Sequence, residues 1–217
     1  MGMIGENGAG KTTTLKAILN MVCPNSGRIE MFEGNIWQHE KACKQEIGVV
    51  FGGVDFYEYK KISDITAVAR RFYKHWDRKT YQYYLQMFDL DENKKVHELS
   101  SGMKVKYLIA MAMSHNARLL ILDEPTSGID PVAREELLRL FRKFVDDGTR
   151  SILFSTHITS DLDKCADSIT YIKKGKVLAS ANKEDFINMF QNLRKPGEKE
   201  LTLEEIMIRT ERSDCYA

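Results

Sequence analysis

No window of this 217-residue sequence approaches the roughly 20 consecutive apolar residues that cross a bilayer as a helix. The first residues hold no basic segment followed by an apolar run, so a chain that neither spans a membrane nor is secreted is expected. An excess of charge of one sign is also lacking. Lys and Arg number 32 against 31 Asp and Glu, a formal charge of +1, which leaves no electrostatic ground for a nucleic-acid partner. The four cysteines, Cys23, Cys43, Cys165 and Cys215, are scattered, with no C-x-x-C pair and no histidine cluster beside them. Neither a zinc site nor a disulfide framework follows, and a reducing cytoplasm fits. What remains, 43% hydrophobic and 29% charged residues in 217 positions, suits one large α/β domain or one domain with a sizeable insertion.

Against that background one stretch carries chemistry. Gly5-Glu6-Asn7-Gly8-Ala9-Gly10-Lys11-Thr12 fits G-x-x-x-x-G-K-[ST] at every fixed position, follows the apolar pair Met3-Ile4 and opens an amphipathic run from Thr13 to Val22. Gly5, Gly8 and Gly10 let the backbone fold close around a phosphate chain, so that its N–H groups and the following helix N-terminus face the anion. Lys11 reaches the β- and γ-phosphates, and the Thr12 hydroxyl is placed to ligate Mg²⁺. A glycine-rich turn that matches by accident is the competing reading, and the strand-loop-helix context argues against it. Residues 5–13, Thr13 included, are therefore expected to bind nucleotide.

Along the rest of the chain, periodicity gives the elements. Arg28–Phe32 alternates as a half-buried strand, Asn35–Trp37 reads as a second short strand, and Ile47–Phe51 as a buried one. Gly52-Gly53 forms a joint. From about Asp64 to Leu90 the spacing turns helical, continuing after Asp77, and the aromatic stripe Phe72, Tyr73, Trp76, Tyr81, Tyr83 and Tyr84 reads as packing rather than as a base-stacking surface. A helix through Ser114, a strand at Leu119–Leu122, a helix capped by Asp130 with Pro131 in its first turn and ended by Gly148, and a strand at Ser151–Ser155 follow. A further helix, a hairpin at Ser168–Lys173 and Lys176–Ala181, and helices near 183–193 and 202–210 complete the chain. Strands alternating with helices imply an α/β fold with a mostly parallel sheet between helical layers, its ligands at the carboxyl ends of the strands. The expected division is a nucleotide-binding core at 1–53 and 117–182, an inserted helical subdomain at 54–98 running on to about 116, and a helical extension at 183–217.

Two further motifs narrow the chemistry. Leu119-Leu120-Ile121-Leu122-Asp123-Glu124 is a buried strand whose acids emerge beside the phosphates: Asp123 suits the Mg²⁺ shell, and Glu124 is placed to polarise a water aimed at the γ-phosphate. Leu99-Ser100-Ser101-Gly102-Met103 opens a helix with hydroxyls and free N–H groups, a second anion site in one chain.

In this order, together with Ser127-Gly128-Ile129-Asp130 and His157, these elements resemble the nucleotide-binding subunits of ABC transporters over nearly the whole chain. The resemblance implies a P-loop NTPase core whose subunits pair head to tail, each ATP lying between the Walker A and B motifs of one, here residues 5–12 and 119–124, and the signature of the other, here residues 99–103. Ser100, Ser101 and Gly102 would then contact ATP on a second nucleotide-binding subunit, identical or related. Asp130 would act in the D-loop across the interface, and His157 would hold the γ-phosphate and align Glu124. ATP and Mg²⁺ are the implied ligands, and a transmembrane permease encoded as a separate chain is the implied partner. The chain is then an ATPase of a bacterial exporter, cytoplasmic and peripheral on the inner face of the membrane. A soluble regulatory ATPase of ABC type, or a nucleotide-binding module with impaired hydrolysis, remains the alternative.

Two departures from the pattern stand out. Gly52 occupies the place where the family usually carries Gln, which senses Mg²⁺ and the attacking water; Asp55 is not nominated in its stead. Only four residues precede Gly5, so the first strand is expected to be a stub. The family's upstream strands and adenine-stacking aromatic have no counterpart before Met1, which reads as a shortened N-terminal β region and weaker ATP binding than a form that carries them.

Overall fold

The computed structural model describes residues 1–32, 34–51 and 57–213. Gly52, Gly53, Asp55 and Cys215 lie outside the described residues. Six strands build the main sheet: β1 (Gly2–Ile4), β4 (Ile47–Phe51), β5 (Leu119–Asp123), β6 (Ser151–Thr156), β7 (Ser168–Lys173) and β8 (Lys176–Asn182). Their order is β4-β5-β6-β1-β7-β8, parallel throughout except for β8, which returns antiparallel to β7. A small antiparallel pair, β2 (Glu30–Met31) and β3 (Gly34–Asn35), stands apart. Three residues suffice for β1 because it lies between β6 and β7 and is paired on both sides.

Alternation along the strands sorts the side chains into two layers. Leu120 and Leu122 of β5, Ile152 and Phe154 of β6 and Ile4 of β1 join the larger core. On that side pack α5 (Ser101–Met113), α6 (Pro131–Val145), α7 (Thr159–Cys165), α8 (Lys183–Met189) and α9 (Leu203–Ser213). Met3, Ile47 and Ile121 face the other way, onto Leu15 and Leu19 from α1 (Lys11–Ile18) and its C-terminal end and onto Cys43 of α2 (Glu40–Gln45). Leu120, Ile121 and Leu122 are fully buried, each such side chain contributing about 1.5–3 kcal/mol relative to exposure. The expected buried strand and its two covering layers are both present.

Several boundaries differ from the sequence reading, each for a local reason. The first helix begins at Lys11 rather than Thr13 and stops at Ile18, because Asn20 adopts a left-handed conformation at φ 56°. The long helical stretch from Asp64 breaks into α3 (Ile62–Ala69), a 3₁₀ turn at Arg70–Phe72 and α4 (Arg78–Met87), with Tyr73 extended between them. Asp77 restarts the helix by accepting from Lys79 N. The aromatic stripe is only partly packed: Tyr81 is buried, Tyr73, Trp76 and Tyr84 are half-buried, and Phe72 and Tyr83 are exposed. A buried Thr66 hydroxyl lies 2.9 Å from the hydroxyls of both Tyr81 and Tyr107, which joins α3, α4 and α5.

Gly48 sets how closely α5 approaches the sheet. A Cβ there would lie 2.5 Å from the Ala112 carbonyl oxygen and 2.5 Å from Leu120 Cδ2, and a backbone atom cannot turn aside as a side chain does. Gly48→Ala is therefore expected to destabilise the protein by about 1–3 kcal/mol, read as a lower urea midpoint with an unchanged slope.

Candidate functional site

The site begins where β1 runs into the glycine loop. Gly5, at φ 159°, passes so close to β7 that a Cβ would lie 2.2 Å from the Ile172 carbonyl oxygen. Gly8 and Gly10 take φ values of 82° and 109°, left-handed conformations that side chains disfavour. The loop is pinned at Ala9, whose N–H donates to Glu6 O (3.1 Å) and whose carbonyl accepts from Gly175 N (2.9 Å). Gly10 caps α1 without a side chain, so the first-turn N–H groups of Lys11, Thr12 and Thr13 have neither an intrahelical acceptor nor a side-chain cap. This is the donor arrangement that an anion needs.

The Lys11 side chain is buried at 5% exposure, and its ammonium donates to the carbonyl oxygens of Gly5 (2.7 Å) and Glu6 (3.1 Å). Alternation along β5 places Asp123 on the same face as Ile121, toward α1, and Thr12 Oγ1 donates to Asp123 Oδ2 at 2.8 Å. The parallel register opposes Asp123 to Ser155 of β6. Ser155 Oγ donates to Asp123 Oδ1 at 2.5 Å and accepts from Glu124 N at 3.1 Å.

Glu124 leaves β5 at φ 49°, a left-handed conformation uncommon outside glycine, and this turn sends its side chain back into the site. Its two oxygens have different surroundings. An imidazole protonated on Nδ1 lets His157 donate to Glu124 Oε2 at 2.8 Å. Oε1 is buried and accepts no hydrogen bond among the described residues; the Lys11 ammonium is 3.4 Å away but out of line. The pair Ile4↔Thr156 explains why His157, the residue after β6, stands beside the loop that follows β1. Gly5–Thr12, Asp123, Glu124 and His157 thus converge at the carboxyl ends of β1, β5 and β6.

The serine-glycine helix start stands apart from this cluster. Ser100 caps α5 by accepting from Met103 N at 3.2 Å, and both Ser100 and Ser101 are exposed. Ser101 Oγ donates to Gly128 O at 3.5 Å, and a Cβ on Gly102 would first meet Ile129 at 3.9 Å. Its neighbours are therefore the residues before Asp130, not the glycine loop. Asp130 Oδ1 caps α6, accepting from Val132 N (3.1 Å) and Ala133 N (3.0 Å), as its position before Pro131 anticipates. Ser155 escaped the sequence reading. Its signal was a polar residue two positions beyond Leu153, on the alternation that faces α1.

The ABC transporter family model matches residues 1–127. The chain is 34% identical over 179 residues to the bacitracin transport ATP-binding protein BcrA of Bacillus licheniformis, across 82% of this chain and 58% of that protein. It is 32% identical over 184 residues to the Nod factor export ATP-binding protein I of Burkholderia pseudomallei, across 82% and 60% respectively. The chain thus spans about three fifths of the length of these relatives. Among solved structures, one described as the ATP binding subunit of an ABC transporter superimposes with a TM-score of 0.82 at 26% identity, over 95% of this chain and 85% of that one.

Ser155 holds Asp123 and the Glu124 amide together. Ser155→Ala leaves a buried carboxylate oxygen without its donor, so a loss of about 1–3 kcal/mol of stability is expected, measured by urea unfolding against wild type.

Proposed function

The chain belongs to the ABC transporter family, and from that premise we propose that it is an ATP-hydrolysing subunit driving a separate membrane permease, as an exporter. The observation that carries the reading is the divided carboxylate of Glu124. One oxygen is engaged by His157, and the other is buried, free of hydrogen bonds among the described residues and 3.4 Å from the Lys11 ammonium. A general base for phosphoryl transfer to water needs such an oxygen, fixed and available beside the phosphate.

In this reading the loop and first-turn N–H groups of residues 5–13 receive the phosphate oxygens of ATP, and the Lys11 ammonium moves from the Gly5 and Glu6 carbonyls onto the β- and γ-phosphates. Thr12 and Asp123, already one hydrogen bond apart, would hold Mg²⁺, which neutralises charge on the phosphates when bound. Glu124 orients the attacking water and takes its proton, while His157, through its Nδ1–H, keeps the carboxylate aimed.

Ser100, Ser101 and Gly102 serve the ATP of a second nucleotide-binding subunit, with Asp130 at the shared face. What supports this is that Ser100, Ser101 and Asp130 are exposed, and that the neighbours of Ser101 and Gly102 are Gly128 and Ile129. The helical subdomain at 54–98, running on to about 116, stands between the core segments 1–53 and 117–182, and residues 183–217 form an extension. No helix among the described residues is long and apolar enough to cross a membrane. In the proposed assembly the permease supplies the crossing and the subunit sits on its cytoplasmic face. An apolar groove of about 710 Å³, lined by Ile65, Val68, Ala69, Phe72, Tyr73 and Met111 among others, supports a docking place for it.

Gly52, in place of the usual Gln, favours a second reading: a nucleotide-binding module with impaired hydrolysis. Phosphate release measured with and without the permease separates the two. In the hydrolysing form, Glu124→Gln is expected to cut phosphate release at least about a hundredfold while ATP affinity stays within about twofold; unchanged release removes Glu124 from the base role. In the Glu124→Gln background, ATP is expected to drive pairing of two chains, seen by light scattering. Adding Ser100→Arg and Gly102→Asp together should abolish that pairing.

A further inference from the structure

One buried carboxylate outside the phosphate site joins the segments that follow Glu124, Asp130 and His157. Asp161 of α7 has no solvent exposure. Its Oδ2 accepts from Thr126 Oγ1 at 2.6 Å. Its Oδ1 accepts from Arg134 Nε at 2.6 Å and forms an ion pair with the Nη2 of the same guanidinium, which also donates to Ser160 Oγ at 3.0 Å. Thr126 lies two residues after Glu124, Arg134 four after Asp130, and Asp161 four after His157. A single side chain therefore ties together the stretch leaving the Glu124 strand, the first turns of the helix that Asp130 caps, and the helix that follows His157.

A carboxylate removed from water is costly unless its oxygens are satisfied, and a well-packed apolar cluster of similar volume would stabilise such a junction as well or better. The chain instead holds a three-partner charged junction. Its geometry is directional: Thr126 offers a single hydroxyl hydrogen, and the guanidinium presents a planar fork that fixes α6 relative to α7. The contact between His157 and Glu124 spans the same two segments that Asp161 and Thr126 join, only a few residues away.

We infer that Thr126, Arg134 and Asp161 form a positioning clamp that sets the reach of His157 toward Glu124, and that it tunes turnover rather than nucleotide affinity. The inference rests on the hydrolytic reading above. None of the three touches the glycine loop among the described residues, so loosening the clamp leaves the phosphate cradle intact and misdirects the water-orienting pair.

Thr126→Val tests this with the least disturbance, since it keeps the side-chain shape and the Arg134–Asp161 pair; Asp161→Ala is the harsher variant and carries the risk of misfolding. In protein that melts as wild type does, Thr126→Val is expected to lower kcat about tenfold or more, with the dissociation constant of a fluorescent ATP analogue within about threefold, and Thr126→Ser to restore the rate. Combined with His157→Ala, Thr126→Val should cause no further loss, because both act on one contact. Turnover of folded Thr126→Val within about twofold of wild type overturns the clamp. So do losses that multiply with His157→Ala. A wild type that binds ATP without hydrolysing it defeats the hydrolytic reading instead. The clamp is then judged from the His157 ring resonances, which should shift in Thr126→Val, and unshifted resonances overturn it.

Discussion

Parallel pairing of β5, β6 and β1 is the constraint on which the rest of the molecule depends. Each strand is mostly buried, and all three run the same way, so three chain segments leave the sheet at one level. Asp123 opposite Ser155, and Ile4 opposite Thr156, are consequences of that register. A slip of one residue would turn Asp123 and Ser155 into the apolar layer on the opposite face and bring Leu122 and Phe154 toward the glycine loop. Hydrophobic burial on two faces thus enforces the polar geometry at the strand ends, and the acid-serine-threonine hydrogen bonds are made by groups the core has already aligned.

That alignment explains how much was legible in the sequence. Ile47–Phe51 and Leu119–Leu122 are short apolar runs, and strands form there, the second extending one residue further to Asp123. The glycine loop was readable because each glycine answers a stated requirement: close passage at Gly5 and positive φ at Gly8 and Gly10. Asp130 followed by Pro131 announced a helix start through local chemistry alone, and that start is observed.

What escaped the sequence depends on contacts between distant segments. Ser155 is one serine among many until β6 is laid beside β5, and Thr126, Arg134 and Asp161 have no motif in common and meet only where α6 and the stretch after β5 pack against α7. Tyr73 ends a helix that periodicity would have continued, since a repeat of apolar residues does not reveal where the backbone turns extended. The short pair of strands near Glu30 and Gly34 was anticipated in kind, but its pairing covers only two residues on each side.

The backbone at Glu124 has a consequence of its own. A non-glycine residue at φ 49° costs about 1–3 kcal/mol in conformational strain, so the acid is carried against the preference of its own main chain. Glycine or asparagine would relax that bend. Selection for a robust fold and selection for a working site therefore pull in opposite directions at this one position, and a descendant released from the second pressure would drift toward the relaxed residue while keeping, or even improving, its thermal resistance.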